Sequence, residues 1–244
     1  QSSFHFNLRG LNNFQTMMND PNGIAFLPAD NRYHMCYQLS ELDDDTQKSM
    51  KHTSSADLLT WKLEPSGCMS PGPEVFDKGG VWSGGGSFVD DANSTYALAY
   101  RARASEGAGG IAIATTTDFN EFTKDGVFFP DIISDGLPLW SHDGKWHAGG
   151  NDGSGRLITH SANTFSADPT DWEQDGKLLF DTSTISNWVG LQCCCPDFFP
   201  LGDNDKWAIK NSGYVSDPKR ASTPDYFVLG TYKNDEFIPD ADDR

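Results

Sequence analysis

Residues 17–23 read Met17-Met18-Asn19-Asp20-Pro21-Asn22-Gly23, and the apolar run Ile24-Ala25-Phe26-Leu27 follows. Asn, Asp, Pro and Gly are the common turn formers, because Pro presets φ and Gly permits φ > 0. Taken alone, the stretch reads as a tight turn between hydrophobic segments. A turn of this kind can also present one carboxylate, Asp20, at the rim of a pocket. What the rest of the chain builds decides between the two.

Strand signals dominate the rest. Tyr33-His34-Met35-Cys36-Tyr37, Tyr96-Ala97-Leu98-Ala99-Tyr100, Ile111-Ala112-Ile113-Ala114-Thr115 and Tyr226-Phe227-Val228-Leu229-Gly230 are short and rich in β-formers. Gly, Asp, Asn and Pro bound them. No amphipathic pattern runs beyond about three helical turns. The chain is expected to be all-β.

A repeat underlies the strands. A turn followed by an aromatic-led segment recurs at Tyr33, Tyr96, Trp146 and Trp207. A second element follows three of them: Asp57-Leu58-Leu59-Thr60-Trp61, Asp118-Phe119-Asn120-Glu121-Phe122 and Asp171-Trp172. Units of roughly 40–60 residues with several short strands point to the blades of a β-propeller. Four units are visible. No linker or low-complexity segment divides residues 1–244, so a single propeller domain is expected. Propeller sites gather where the first strands of the blades converge. The polar candidates there are Asn19 and Asp20, then Ser83, then Asp135, then Cys193 to Asp197.

Composition narrows the partners. The chain has 244 residues, 37% hydrophobic and 22% charged, which suits a packed core rather than disorder. Its net charge of −17 repels phosphate backbones and anionic membranes, so neither nucleic acid nor membrane is an expected partner. No apolar run approaches the ~20 residues needed to span a bilayer. The six histidines show no metal-ligand spacing, and no glycine loop precedes a helix, so no metal or cofactor is expected. Five cysteines (Cys36, Cys68, Cys193, Cys194, Cys195) leave at least one thiol unpaired and do not describe a disulfide scaffold. The first ten residues carry no signal-peptide pattern, while the sequon Asn93-Ser94-Thr95 hints at secretion.

The ordered set of segments resembles glycoside hydrolase family 32, the invertases, fructan hydrolases and fructosyltransferases. Asn19-Asp20-Pro21-Asn22-Gly23 with Tyr33-His34-Met35-Cys36-Tyr37-Gln38 is similar to the family's opening. His52 with Ala56-Asp57-Leu58-Leu59-Thr60-Trp61, Val81-Trp82-Ser83-Gly84, Cys195-Pro196-Asp197-Phe198-Phe199-Pro200-Leu201 and Asp225 to Tyr232 resemble later landmarks in the family's order. The resemblance implies a five-bladed propeller and retaining cleavage of a β-fructofuranoside such as sucrose or a small fructan. Retention needs two carboxyl groups about 5–5.5 Å apart, one attacking the anomeric carbon and one protonating the leaving oxygen.

By this resemblance Asp20 is the nucleophile. Asp135, five residues before Trp140, is the third carboxylate that stabilises the transition state. Asn19, Gln38, Trp82 and Ser83 are the expected sugar contacts, although Trp82 is equally readable as core. His52 is read as a structural hydrogen-bonding residue.

Two departures matter. Ser134-Asp135-Gly136 stands where the family has Arg-Asp-Pro, so the arginine fork beside the third carboxylate is missing. Cys194 stands where the acid/base glutamate belongs, and a thiol is a weak acid for that work. In a regular strand Asp197 projects to the face opposite Cys194, unless a bulge intervenes. A slow hydrolase and a non-catalytic sugar-binding protein are therefore the two readings. The resemblance also implies a fifth blade, and usually a C-terminal β-sandwich; neither is seen in the chain.

Overall fold

A computed structural model describes residues 16–41, 44–72, 76–90, 92, 94–105, 109–184, 192–202, 205–214 and 225–240. For residues 16–19, 41, 44–47, 192–194 and 213–214 the description is of the backbone alone. The described residues form four antiparallel sheets, each a four-stranded meander. The first blade is β1 (Thr16–Leu27), β2 (Arg32–Glu41), β3 (Asp44–Ser55) and β4 (Trp61–Leu63). The second is β5 (Gly80–Phe88), β6 (Tyr96–Arg103), β7 (Gly110–Thr116) and β8 (Thr123–Phe129). The third is β9 (Trp140–His142), β10 (Lys145–Asn151), β11 (Arg156–Ala162) and β12 (Lys177–Asp181). The fourth is β13 (Gln192–Pro200), β14 (Lys206–Tyr214), β15 (Asp225–Lys233) and β16 (Glu236–Pro239). The chain is an all-β propeller of four described blades, where five were expected.

The repeat seen in the sequence has a mechanical meaning. Each repeating aromatic (Tyr33, Tyr96, Trp146, Trp207) lies near the start of its blade's second strand. Each Asp-containing element turns the corner into the fourth strand. Asp57 Oδ1 accepts the backbone N–H groups of Leu59 (2.9 Å) and Thr60 (2.7 Å), while Ser55 Oγ accepts that of Leu58. Asp118 and Thr116 build the same corner around Phe119. These bonds hold Leu58 at φ 61° and Phe119 at φ 62°, a region bulky residues otherwise avoid.

Three apolar clusters fill the spaces between successive blades. Met50, Val81, Tyr100 and Phe119 pack between the first and second. Ile113, Phe129, Ile132 and Trp172 pack between the second and third. Trp140, Phe198, Trp207 and Tyr232 pack between the third and fourth. Each such side chain contributes about 1.5–3 kcal/mol by leaving water. The outer blades differ: Ile24 and Phe26 on β1, and Phe227 and Leu229 on β15, stay exposed.

The stretch that opened the reading is not a hairpin turn. Residues 17–23 run inside β1, which pairs with β2 through two irregularities, at Met18/Pro21 and Asn22/Ala25. Proline has no ladder donor, and a bulge is where a strand tolerates it. Gly23, at φ 54°, sits so close to Leu98 and Tyr96 that a Cβ would lie 2.9 Å from Leu98 Cδ1.

Cys36 and Cys68, both buried, form a disulfide across 32 residues. Composition did not suggest it, because one bridge in a chain of this size is compositionally silent. Cys195 is a free thiol.

His52 holds the structural place expected of it. Its Nε2 lies 2.9 Å from His34 Nδ1, and both rings stack near Phe119. Burial, then the adjoining His34, lowers the His52 pKa to about 4. Burial likewise lowers His147, stacked on Trp140, to about 4. The unfolded chain then binds more protons than the native one between these values and the ordinary ~6.5, so stability falls with falling pH. We expect Tm to be level above about pH 7 and to drop as pH falls from about 6.5 to 4. Imidazole NMR shifts of His52 and His147 that titrate at about 6.5 in the folded protein contradict neutral, buried rings.

Candidate active site

The inner strands bring residues from all four blades to one place. Asp20 comes from β1, Ser83 from β5, Asp135 from the segment before β9, and Cys195 and Asp197 from β13. Asp135 is held at the inner edge by the backbone: Asn151 N–H donates to its carbonyl at 3.0 Å, and Leu137 N–H to Gly149 O at 2.8 Å. β5 packs against β1, β3 and β13, so it is the strand around which the site is assembled.

A relay of hydrogen bonds aims the Asp20 carboxylate. Gln38 Nε2 donates to Ser83 Oγ at 2.9 Å, and Ser83 Oγ donates to Asp20 Oδ2 at 2.8 Å. Gln38 is almost fully buried, so its amide is fixed by packing. Among the described residues the bonds to this carboxylate all reach Oδ2, including the Cys195 thiol at 3.5 Å. Among the described residues no hydrogen bond reaches Oδ1. Behind it, Asn22 Nδ2 donates to Asp20 O and Asn22 Oδ1 accepts Gly84 N–H, both at 2.8 Å, which locks β1 to β5. Gly84 also lies tight against β6, where a Cβ would be 2.0 Å from Ala99 O.

Asp135 joins the same cluster. Its Oδ2 accepts Cys195 N–H at 3.0 Å and lies 3.8 Å from Cys195 Sγ. Burial raises the pKa of Asp135, as does the Asp20 charge; the Cys195 amide and the Arg101 guanidinium oppose them. Cys195 thus touches both carboxylates, from a left-handed backbone at φ 47°. Burial, then the two carboxylates, drives its thiol pKa far up, so the sulfur keeps its proton.

Two adjoining cavities of about 180 and 400 Å³ open here and share Pro21, Asn22, Gly84 and Asp197. Asp20, Ser83 and Lys210 line the smaller one.

The sequence candidates fare differently. Asp20, Gln38, Ser83 and Asp135 come together. The side chains of Asn19 and Cys194, and the sequon residue Asn93, fall outside the described structure. Trp82 lies on β5 with Lys48 Nζ 4.9 Å and Arg103 Cζ 5.5 Å from its ring centre, a cation–π stack. Asp197, expected to face away, lines both cavities, because β13 is bulged between Cys194 and Asp197. Arg101 and Asn22 are additions. Arg101 is 33 residues upstream of position 134, where the family carries its arginine, and only the pairing of β6 reveals it; its Nη1 is anchored on Ile132 O at 3.0 Å. Asn22 was in plain view inside the motif, read as a turn former.

This fold recurs among the relatives of the chain. The profile of the Glycosyl hydrolases family 32 N-terminal domain matches residues 11–244, and the chain belongs to that family. A sucrose-6-phosphate hydrolase of Salmonella typhimurium is 34% identical over 203 residues, covering 77% of this chain and 41% of that protein. A fructan 6-exohydrolase of Beta vulgaris is 24% identical, covering 91% of this chain and 40% of that protein. The chain therefore spans about two fifths of the length of these relatives. A solved β-fructofuranosidase of Schwanniomyces occidentalis superposes with a TM-score of 0.70 at 19% identity, covering 93% of this chain and 46% of that one. At that identity the likeness speaks for the fold.

Proposed function

We propose that the protein is a β-fructofuranosidase-type glycoside hydrolase that cleaves the fructosyl bond of sucrose or a small fructan with retention. The observation that carries this reading is the convergence of Asp20 and Asp135 on Cys195, with the Gln38–Ser83 relay aiming one carboxylate oxygen. In this reading Asp20 attacks the anomeric carbon. Asp135 steadies the developing oxocarbenium charge and bonds sugar hydroxyls. Ser83, with Gln38 behind it, borders the fructosyl ring, and Asn19 is assigned a contact by the family motif alone; Trp82, stacked with Lys48 and Arg103, lines neither of the two cavities. A ring of five blades belongs to the same proposal, supported by the apolar side chains exposed on β1 and β15. The Cys36–Cys68 disulfide supports an oxidising, extracellular setting.

Cys194 at the glutamate position makes turnover on sucrose slow. The alternative is a sugar-binding protein that has lost its proton donor, and that substitution is what favours it. The −17 charge favours neutral sugars over phosphorylated ones, although a relative is named for sucrose-6-phosphate.

The test is a long incubation with sucrose, sucrose-6-phosphate and an aryl β-fructofuranoside, with calorimetric titration beside it. We expect fructose from all three, fastest from the aryl compound, whose leaving group needs little acid help. Binding without any release marks the sugar-binding alternative, and neither binding nor release overturns both.

A further inference from the structure

The register of β13 carries one step further. Cys194 pairs with Ser212, yet Asp197, three residues on, pairs with Lys210, only two residues away on β14. β13 therefore holds one extra residue in this interval, a bulge. Paired residues share a face of the ladder, and alternate residues on β14 share one too. By register Asp197 takes the face of Lys210 and Ser212, and all three line the cavity that also holds Asp20.

Resting on the hydrolase reading, we propose that Asp197 is the acid/base group of this site. It supplies the carboxyl that Cys194 does not, from three residues further along the same strand. The bond between the anomeric carbon and the glycosidic oxygen breaks with its electron pair on the oxygen. That oxygen takes the Asp197 proton while Asp20 bonds the carbon. In the second half Asp197, now a carboxylate, takes a proton from water, whose oxygen bonds the carbon as Asp20 leaves with its pair.

The surroundings suit the role. Burial raises the pKa of Asp197; Lys210 on β14 pulls it down and Asp225 on β15 pushes it up. Asp20, from β1, also faces the cavity. A carboxyl that keeps its proton to a higher pH than usual is what an acid catalyst needs, whereas the Cys195 thiol beside it holds its proton too tightly to give it.

The test compares Asp197→Asn and Asp197→Glu with wild type on sucrose and on the aryl fructoside. Asp197→Asn is expected to lower kcat on sucrose by about 10²–10⁴-fold. It should also lose the alkaline limb of the pH profile, regain turnover of the aryl compound when azide replaces water, and melt cooperatively. Asp197→Glu should keep part of the activity. An unchanged sucrose kcat and alkaline limb in Asp197→Asn overturns the proposal and leaves the hydrolase reading standing. So does an equal loss on both substrates without azide rescue, the mark of a structural role. A folded wild type that cleaves neither substrate overturns the hydrolase reading, and the proposal with it.

Discussion

Asp20→Asn should abolish fructose release, lowering kcat by at least about 10³-fold, or roughly 4 kcal/mol of barrier. The amide keeps the volume of the side chain and can still accept the Ser83 hydroxyl through its oxygen. Packing and sugar binding should therefore survive, with Kd for sucrose changing far less than turnover. What disappears is the carboxylate charge, and with it, on the hydrolase reading, the capacity to form the covalent bond and to neutralise the developing positive charge. The contrast between intact binding and absent cleavage separates a nucleophile from a residue that only shapes the pocket. Turnover within tenfold of wild type would mean that the carboxylate at the centre of the cluster is not the one that attacks.

The largest effect on stability should come from Cys68→Ser. The Cys36–Cys68 bridge closes a loop across 32 residues, and chain-entropy arguments assign such a closure about 3–4 kcal/mol. Cys36 also lies inside the cluster that joins the first two blades, so the loss falls where β2 and β3 meet the second blade. In a domain of this size each kcal/mol moves Tm by about 2–4 °C, so a fall of roughly 6–15 °C is expected. Reductant should lower wild type toward the variant and leave the variant itself unmoved. A variant that melts within about 2 °C of wild type would show that the bridge adds nothing to the packing around it.

What the sequence displayed is chemistry that acts locally. The aromatic that begins a second strand and the Asp that turns a corner need only their near neighbours, so the blades at Tyr33, Tyr96, Trp146 and Trp207 could be read directly. Asp20 and Asp135 were legible as well, through their motifs. What stayed hidden depends on register. A strand read as strictly alternating turns Asp197 away, and one extra residue between Cys194 and Asp197 turns it inward. Arg101 is invisible for a related reason. Its charge reaches Asp135 from another blade, so no local pattern links the two. MMNDPNG misled in the opposite sense, because turn formers inside a strand spell bulges, and the bulges only appear once β2 is alongside.

The contact between Asp20 and Cys195 spans 175 residues of chain. During synthesis from the N-terminus, the first blade is made long before the strand that completes the site. Closing so long a loop is entropically dear, and nothing local rewards it until the intervening blades are stacked. The cluster around Asp20 and Cys195 is therefore expected to form late in folding. On the hydrolase reading, recovery of sugar binding during refolding should lag behind the fluorescence change of the tryptophans, and the lag itself times the arrival of β13 beside β1.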